Sequence, residues 1–337
     1  MSNRLRILTW HVHGNYLYYL GHVPHDICLP VKPGRPEGYG GKCGTLPWQP
    51  NLHEVPAESV KRMEFDCILF QSKRNYLIDQ YELLSAEQLK LPRIYLEHDP
   101  PRENPTDTRH PVGDPNVLLV HVTHFNDLMW NSGATPTRVI EHGVVVPDTV
   151  RYTGELERGI TVVNGLKKRG RRVGADVFER VRDQVAVDLV GMESEQAGGL
   201  GEVDHRSLAA FCAHYRFFFN PIRYTSLGLA VCEAMMLGIP MVGLATTEMV
   251  TTVENGVSGY VDTSVDRLID RMRSLLSDRT EAMRLGEGAR QAAIQRFGIE
   301  RFARDWDETL RFVTGGSRRS QVGPSSFELL EEAGGRS

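Results

Sequence analysis

The sequence predicts two α/β domains, each a doubly wound sheet of parallel strands. Three observations carry this expectation. Short β-rich runs alternate with helical stretches along nearly the whole chain. The runs are continuously apolar, as strands covered on both faces require, and do not alternate as half-buried strands would. The series breaks once, at "PDTVRYTGELERG" (147–159), where charge density rises, which places a domain boundary near residue 150.

In chain order, strands are predicted at 5–10, 26–31, 66–71, 93–98, 116–122 and 137–143, with helices at 57–64 and 73–88 between them. The stretch 32–56 is rich in Gly and Pro and reads as a long irregular loop, a kind of segment that is usually functional or disordered. After the break come strands at 160–163, 186–190, 216–220, 239–243 and 259–261, with helices at 173–184, 205–214, 226–238 and 247–254. Helices at 265–277, 279–296 and 299–313 close the second domain, and 314–337 reads as a flexible tail.

Composition narrows the class. The 337 residues are 41% hydrophobic and 24% charged, ordinary for a globular protein that needs no staples. A net charge of −4 argues against general nucleic-acid binding. No apolar run reaches the length of a membrane span, and "MSNRLRILTW" lacks a signal-peptide core. The five cysteines are scattered and never spaced as CxxC, so reduced thiols in a cytoplasmic protein are expected. Peripheral association with the inner face of the membrane stays open, as does the oligomeric state.

The stretch "YTSLGLAVCEAMMLGIPMVG" (224–243) carries the chemistry. From Leu227 to Leu237 every residue but Glu233 is apolar or glycine, so the helix should be buried and the carboxylate needs a partner. That partner could be backbone amides, a basic side chain or a ligand. Thr225 and Ser226 are N-cap candidates, and Gly228 lets something approach the backbone. Loop 222–228 lies outside the carboxyl end of a strand, where open sheets bind ligands, and a helix N-terminus there suits phosphate. Glu233 stands about 10 Å further along the helix axis. A diphosphate at the helix start and a hydroxyl-bearing group beside Glu233 would match a nucleotide sugar.

The run "FFFNPIRYTSLGLAVCEAMMLGIPMVGLATTEMVTTVENGVSGYVDT" (217–263) resembles the donor-binding region of retaining glycosyltransferases of family 4. The resemblance implies the GT-B fold, two Rossmann-like domains facing a cleft. Residues 1–150 would then form the acceptor side, and 151–313 the nucleotide-sugar side. It places Glu233 on the ribose hydroxyls and the amides of Gly228 and Leu229 on the diphosphate, with Thr225 and Ser226 in the same donor loop. In "TVVNGLKKRGRRVG" it assigns Arg169 first and Lys168 second to the diphosphate. Gly14, in "TWHVHGNY", becomes the close-approach residue of the first domain. His98, in "RIYLEHDPP", reaches the transferred sugar, so His98 and Glu233 are the catalytic candidates. "VIEHGVVVP" (139–147) resembles the end of the family's first domain, and the last helices return toward that domain.

Two positions depart from the family pattern. Thr225 stands where a first glutamate is expected, and Leu227 replaces the usual phenylalanine. The implied activity is metal-independent transfer from a nucleotide-diphosphate sugar to a carbohydrate, lipid or small-molecule acceptor. It needs no cofactor and proceeds by a front-face displacement with retention of configuration. A nucleotide-sugar-binding protein without transfer activity is the second reading, and a GT-B epimerase a third. From another class, His11 and His13 form an HxH pair of the kind found in metal-dependent amidohydrolase barrels, with His98, His121, His124 and His142 as further ligands. That reading predicts eight βα units.

Overall fold

The computed structural model describes residues 4–12 and 14–319, with side chains described as far as residue 315. In the first domain the elements are β1 (Arg6–Thr9), α1 (Gly14–Leu20), β2 (Asp26–Val31), β3 (Leu52–Pro56), β4 (Cys67–Phe70), α2 (Gln80–Leu83), β5 (Arg93–Glu97), β6 (Val117–His121), α3 (His124–Met129) and β7 (Thr137–Val139). They form one seven-stranded sheet of order β3-β2-β1-β4-β5-β6-β7, parallel throughout. The segment read as one irregular loop therefore contains an edge strand. Its residues Leu52–Pro56 pair with Ile27–Val31, and only the part before it is irregular. Helix 57–64 is instead a short 3-10 turn, Ala57–Arg62.

The second domain is built from β8 (Leu156–Val162), α4 (Leu166–Arg169), α5 (Ala175–Arg182), β9 (Val187–Val190), α6 (His205–Cys212), β10 (Tyr215–Asn220), α7 (Leu229–Leu237), β11 (Met241–Leu244), α8 (Met249–Thr252) and β12 (Gly259–Asp262). Helices α9 (Val265–Ser277), α10 (Arg279–Phe297) and α11 (Ile299–Arg319) follow. Its five-stranded sheet, order β12-β11-β10-β8-β9, is also parallel. Two open sheets replace the eight-unit barrel that the HxH reading requires, so that reading falls.

Strand order reverses between β1 and β4 in the first sheet, and between β8 and β10 in the second. At such switch points the chain leaves adjacent strands toward opposite faces and opens a crevice at their carboxyl ends. The loops after β1, β8 and β10 are those that bear Gly14, Arg169 and Gly228.

Helix α11 packs back onto the first domain, as expected. Trp306 Nε1 donates to the buried Tyr16 hydroxyl at 3.0 Å, His25 Nε2 lies 2.8 Å from Asp307 Oδ1, and Arg138 donates to Thr309 Oγ1 at 2.7 Å. An added Cβ at Gly143 would sit 2.2 Å from Phe302, so the end of the first domain meets this helix at backbone distance. The helix continues to Arg319, into the segment read as a tail from 314; residues 320–337 lie outside the described residues. Among the described residues, no helix is long and apolar enough to cross a membrane.

Candidate functional site

A cavity of about 570 Å3 lies between the domains. Gly14 and Tyr16 line it from the first domain; Arg169, Thr225, Gly228, Leu229 and Glu233 line it from the second. Six residues singled out in the sequence thus share one cavity.

The start of α7 forms one end. Its N-cap is Gly228, in extended conformation, and no side chain caps the helix. Thr225 and Ser226, which look like caps in the sequence, stand three and two residues before the actual N-cap and do other work. Thr225 Oγ1 donates to the Ser226 carbonyl at 2.7 Å, and Ser226 Oγ accepts from Asn126 Nδ2 of the first domain at 3.0 Å. A Cβ added at Gly228 meets nothing within 4 Å. The first amides of α7 therefore border open cavity, with the positive end of the helix dipole behind them.

Arg169 supplies the cation. It ends the single turn of α4, which starts at Gly165, a left-handed residue (φ 57°) that only glycine adopts without strain. Arg169 Nη1 donates to the Asn164 carbonyl at 3.3 Å. Desolvation within the cleft, and after it the neighbouring Arg172 charge, lower its pKa from the usual guanidinium value, although the side chain keeps exposed surface toward the open cavity. The pairing of Arg169 with Lys168 is corrected. Consecutive residues on one turn point about 100° apart, and Lys168 turns outward, 74% exposed, with Nζ 3.9 Å from Glu193 Oε1. Across the backbone bend at Gly170 (φ 63°), Arg172 is the cation whose charge bears on Arg169. An added Cβ at Gly174 would lie 1.9 Å from the Pro221 carbonyl oxygen, and Arg223 and Tyr224 amides both donate to the Arg172 carbonyl at 3.1 Å. This contact brings the arginine turn against the loop that leads to α7.

The partner of Glu233 is Tyr19, whose hydroxyl donates to Glu233 Oε1 at 2.7 Å. Glu233 also borders a second, smaller cavity of about 240 Å3, whose walls include Leu208, Phe218 and Leu237. The carboxylate thus stands between the two cavities.

His98 follows β5 and lies behind the wall rather than in it. Its ring meets Tyr16 edge-on, with centroids 4.8 Å apart, and its Nε2 donates to Gln71 Oε1 at 3.3 Å. His11 Nδ1 lies 2.5 Å from the Gly41 carbonyl, which can only accept, so Nδ1 carries the proton. His13 lies outside the described residues. His121 and His142 are buried on separate partners, Asp127 and the Leu227 carbonyl.

Sequence reasoning missed Tyr19, Arg172 and the wall formed by Val190–Met192 with Glu202 and Val203. Only Arg172 left a signal, its place in the basic run "LKKRGRR". The irregular loop has a second surprise: Thr45 Oγ1 donates to Asp204 Oδ2 at 2.5 Å, and Arg206 Nε donates to the Thr45 carbonyl at 2.8 Å. It straps the first domain to the start of α6.

Residues 160–278 match the sequence model of the family described as Glycosyl transferases group 1. No curated protein matches the chain in sequence. Among solved structures, a sucrose-phosphate synthase from Thermosynechococcus elongatus is similar with a TM-score of 0.69 at 15% identity, over 93% of this chain and 100% of that one. Anabaena HepE in complex with UDP and glucose gives 0.66 at 14%, over 91% and 99%. A glycosyltransferase from Rickettsia africae gives 0.62 at 13%, over 93% and 99%. The chain therefore has the GT-B architecture, and its second domain carries a glycosyl transferases group 1 segment.

Proposed function

We propose that the protein transfers a sugar from a nucleoside-diphosphate donor to a hydroxyl-bearing acceptor, with retention of configuration. One observation carries the reading: the uncapped start of α7, Arg169 and Glu233 converge on a single cavity between the domains. The match of residues 160–278 and the UDP complexes of HepE, a protein of the same fold, support it.

In this reading the amides of Gly228 and Leu229 and the guanidinium of Arg169, helped by Arg172, hold the diphosphate. Together they take the role that a metal ion plays elsewhere, stabilising charge as the phosphate departs. Glu233 accepts from the ribose hydroxyls. The bond from the anomeric carbon to the phosphate oxygen breaks. The acceptor oxygen bonds to that carbon on the same face, and its proton passes to the departing phosphate oxygen. His98, which the resemblance assigns to the transferred sugar, supports the sugar-facing wall from behind Tyr16. Domain closure excludes water and favours transfer over hydrolysis. The acceptor is a carbohydrate, lipid or small molecule on the first-domain side. Five free cysteines fit a reducing, cytoplasmic setting.

Thr225 favours a second reading, a nucleotide-sugar binder without transfer activity, because the neutral side chain stands where the resemblance expects a carboxylate. Incubation with UDP-, GDP- and ADP-sugars tests both readings. Release of nucleoside diphosphate, with free sugar as the hydrolysis product and its first-formed anomer read by NMR, supports transfer with retention. Thermal stabilisation without any release supports the binder, and no response to any nucleotide sinks both.

A further inference from the structure

The geometry points to Tyr19 as a positioning residue that sets Glu233 for the ribose and ties ribose recognition to the approach of the two domains. The inference rests on the reading of Glu233 as the ribose ligand.

Helices α1 and α7 both begin at the cavity. Helix α1 begins at Gly14 and α7 follows Gly228, and both glycines line the cavity. Tyr19 is five residues beyond the first glycine and Glu233 five beyond the second, an equal rise of about 7.5 Å. The two side chains meet there, the hydroxyl 2.7 Å from Oε1. The first domain thus contributes no charge at this level, only a donor aimed at the second domain's carboxylate.

That donor decides where the carboxylate points. No other hydrogen bond of Glu233 is found among the described residues; the smaller cavity beside it is lined mainly by apolar side chains, and the His205 and Arg206 on its wall make no hydrogen bond to the carboxylate. Tyr19 is 1% exposed and its ring packs on Tyr18, with centroids 5.1 Å apart, so its hydroxyl has little freedom to move. Holding Oε1 leaves Oε2 and the second lone pair of Oε1 for a vicinal diol. Without the hydroxyl, the carboxylate has no fixed direction. Because donor and acceptor of this bond belong to different domains, opening the cleft frees Glu233 and closing it presents a finished diol site.

The test compares dissociation constants of UDP, GDP and ADP with those of their 2′-deoxy counterparts, by calorimetry. The wild type, Tyr19→Phe, Glu233→Ala and the double variant are measured, with unfolding temperatures alongside. The wild type should prefer the ribonucleotide. Tyr19→Phe should lose about ten-fold in ribonucleotide affinity, as removal of a charge-assisted bond does. Its deoxynucleotide affinity should change little, and Tyr19→Phe should have no further effect in the Glu233→Ala background. Equal losses for both sugars, or additive losses in the double variant, would overturn the positioning role while leaving the nucleotide reading intact. A wild type that binds nucleotide without preferring ribose would overturn the role of Glu233, and Tyr19 with it. A wild type that binds no nucleotide would overturn the donor reading itself. Should the stranded carboxylate prevent Tyr19→Phe from folding, the same comparison in the Glu233→Gln background removes that charge. An unchanged ribose preference between Glu233→Gln and Tyr19→Phe/Glu233→Gln would then count against the inference.

Discussion

His142 Nε2 lies 2.9 Å from the carbonyl oxygen of Leu227, the residue just before the N-cap of α7. A carbonyl only accepts, so Nε2 carries the proton, and burial keeps the imidazole neutral. The closing segment of the first domain thereby holds the start of the helix that faces the cavity. The bond is buried, and Nδ1 has no partner among the described residues.

A pH dependence follows. Burial pushes the His142 pKa down to about 4, and burial does the same to His121, also to about 4. In the unfolded chain both titrate near the ordinary value of 6.5. The unfolded state therefore binds more protons between these limits. Stability is complete above about pH 6.5 and falls as pH drops toward 4, by roughly 1.4 kcal/mol per pH unit for each histidine. Urea unfolding at pH 7.5, 6 and 5 measures the slope. His142→Gln, which keeps an N–H for Leu227, should remove about half of the slope these two histidines produce; an unchanged slope would assign the dependence to other groups.

Arg169 and Lys168 are neighbours with opposite expected effects. Arg169→Ala should weaken nucleoside-diphosphate binding about ten-fold or more, since a guanidinium inside the cavity is lost. Lys168→Ala, which removes an exposed ammonium paired at 3.9 Å with Glu193, should change affinity less than two-fold or so. Titration calorimetry of both variants with the best-binding nucleotide decides. Equal losses would show that the outward lysine swings into the site.

Arg296 anchors the other junction between the domains. Its guanidinium donates to Glu141 Oε1 and to Glu248 Oε1, each at 2.5 Å, while Glu248 Oε2 accepts from the Phe125 amide of the first domain at 2.9 Å. Glu248 is 3% exposed, so Arg296→Ala would leave a buried carboxylate short of its cation. The expected loss is about 3 kcal/mol, the lower end for a broken buried pair, because Arg296 itself is partly exposed. Urea midpoints of the wild type and the variant measure it.

The parts of this architecture that were legible in the sequence are those written in local pattern. Apolar runs such as "NVLLVHV" and "FFFNP" marked buried parallel strands, and an isolated carboxylate in an apolar helix marked Glu233. Leu52–Pro56 was illegible because only Leu52 and Val55 are buried in this edge strand, too few for an apolar run, and it follows a Gly/Pro-rich stretch. The cap was misread because Thr225 and Ser226 have the right chemistry but the wrong backbone, and their side chains bind a carbonyl and Asn126 instead. Lys168 stands beside Arg169 in sequence but turns outward, because adjacency in sequence says nothing of direction on a single turn. Tyr19 meets Glu233 across 214 residues, a contact that no spacing or periodicity encodes.

Gly228 separates fold from function most cleanly. Its backbone, φ −76° and ψ 143°, lies in the extended region that any L-residue adopts, and an added Cβ finds open space. Nothing in the fold therefore demands glycine. If the amides of Gly228 and Leu229 receive a diphosphate, close approach demands it instead. Gly228→Val suits the extended backbone and should lower stability by no more than about 1 kcal/mol, the cost of a poorer N-cap. Its branched side chain would project into the space a phosphate needs and should reduce nucleoside-diphosphate affinity more than ten-fold. Gly228→Ser, a good N-cap with a smaller side chain, should keep full stability and fall between the two in affinity. Unfolding midpoints and calorimetric titration of the three proteins make the comparison. A valine variant that binds as tightly as the wild type would remove the start of α7 from the phosphate site.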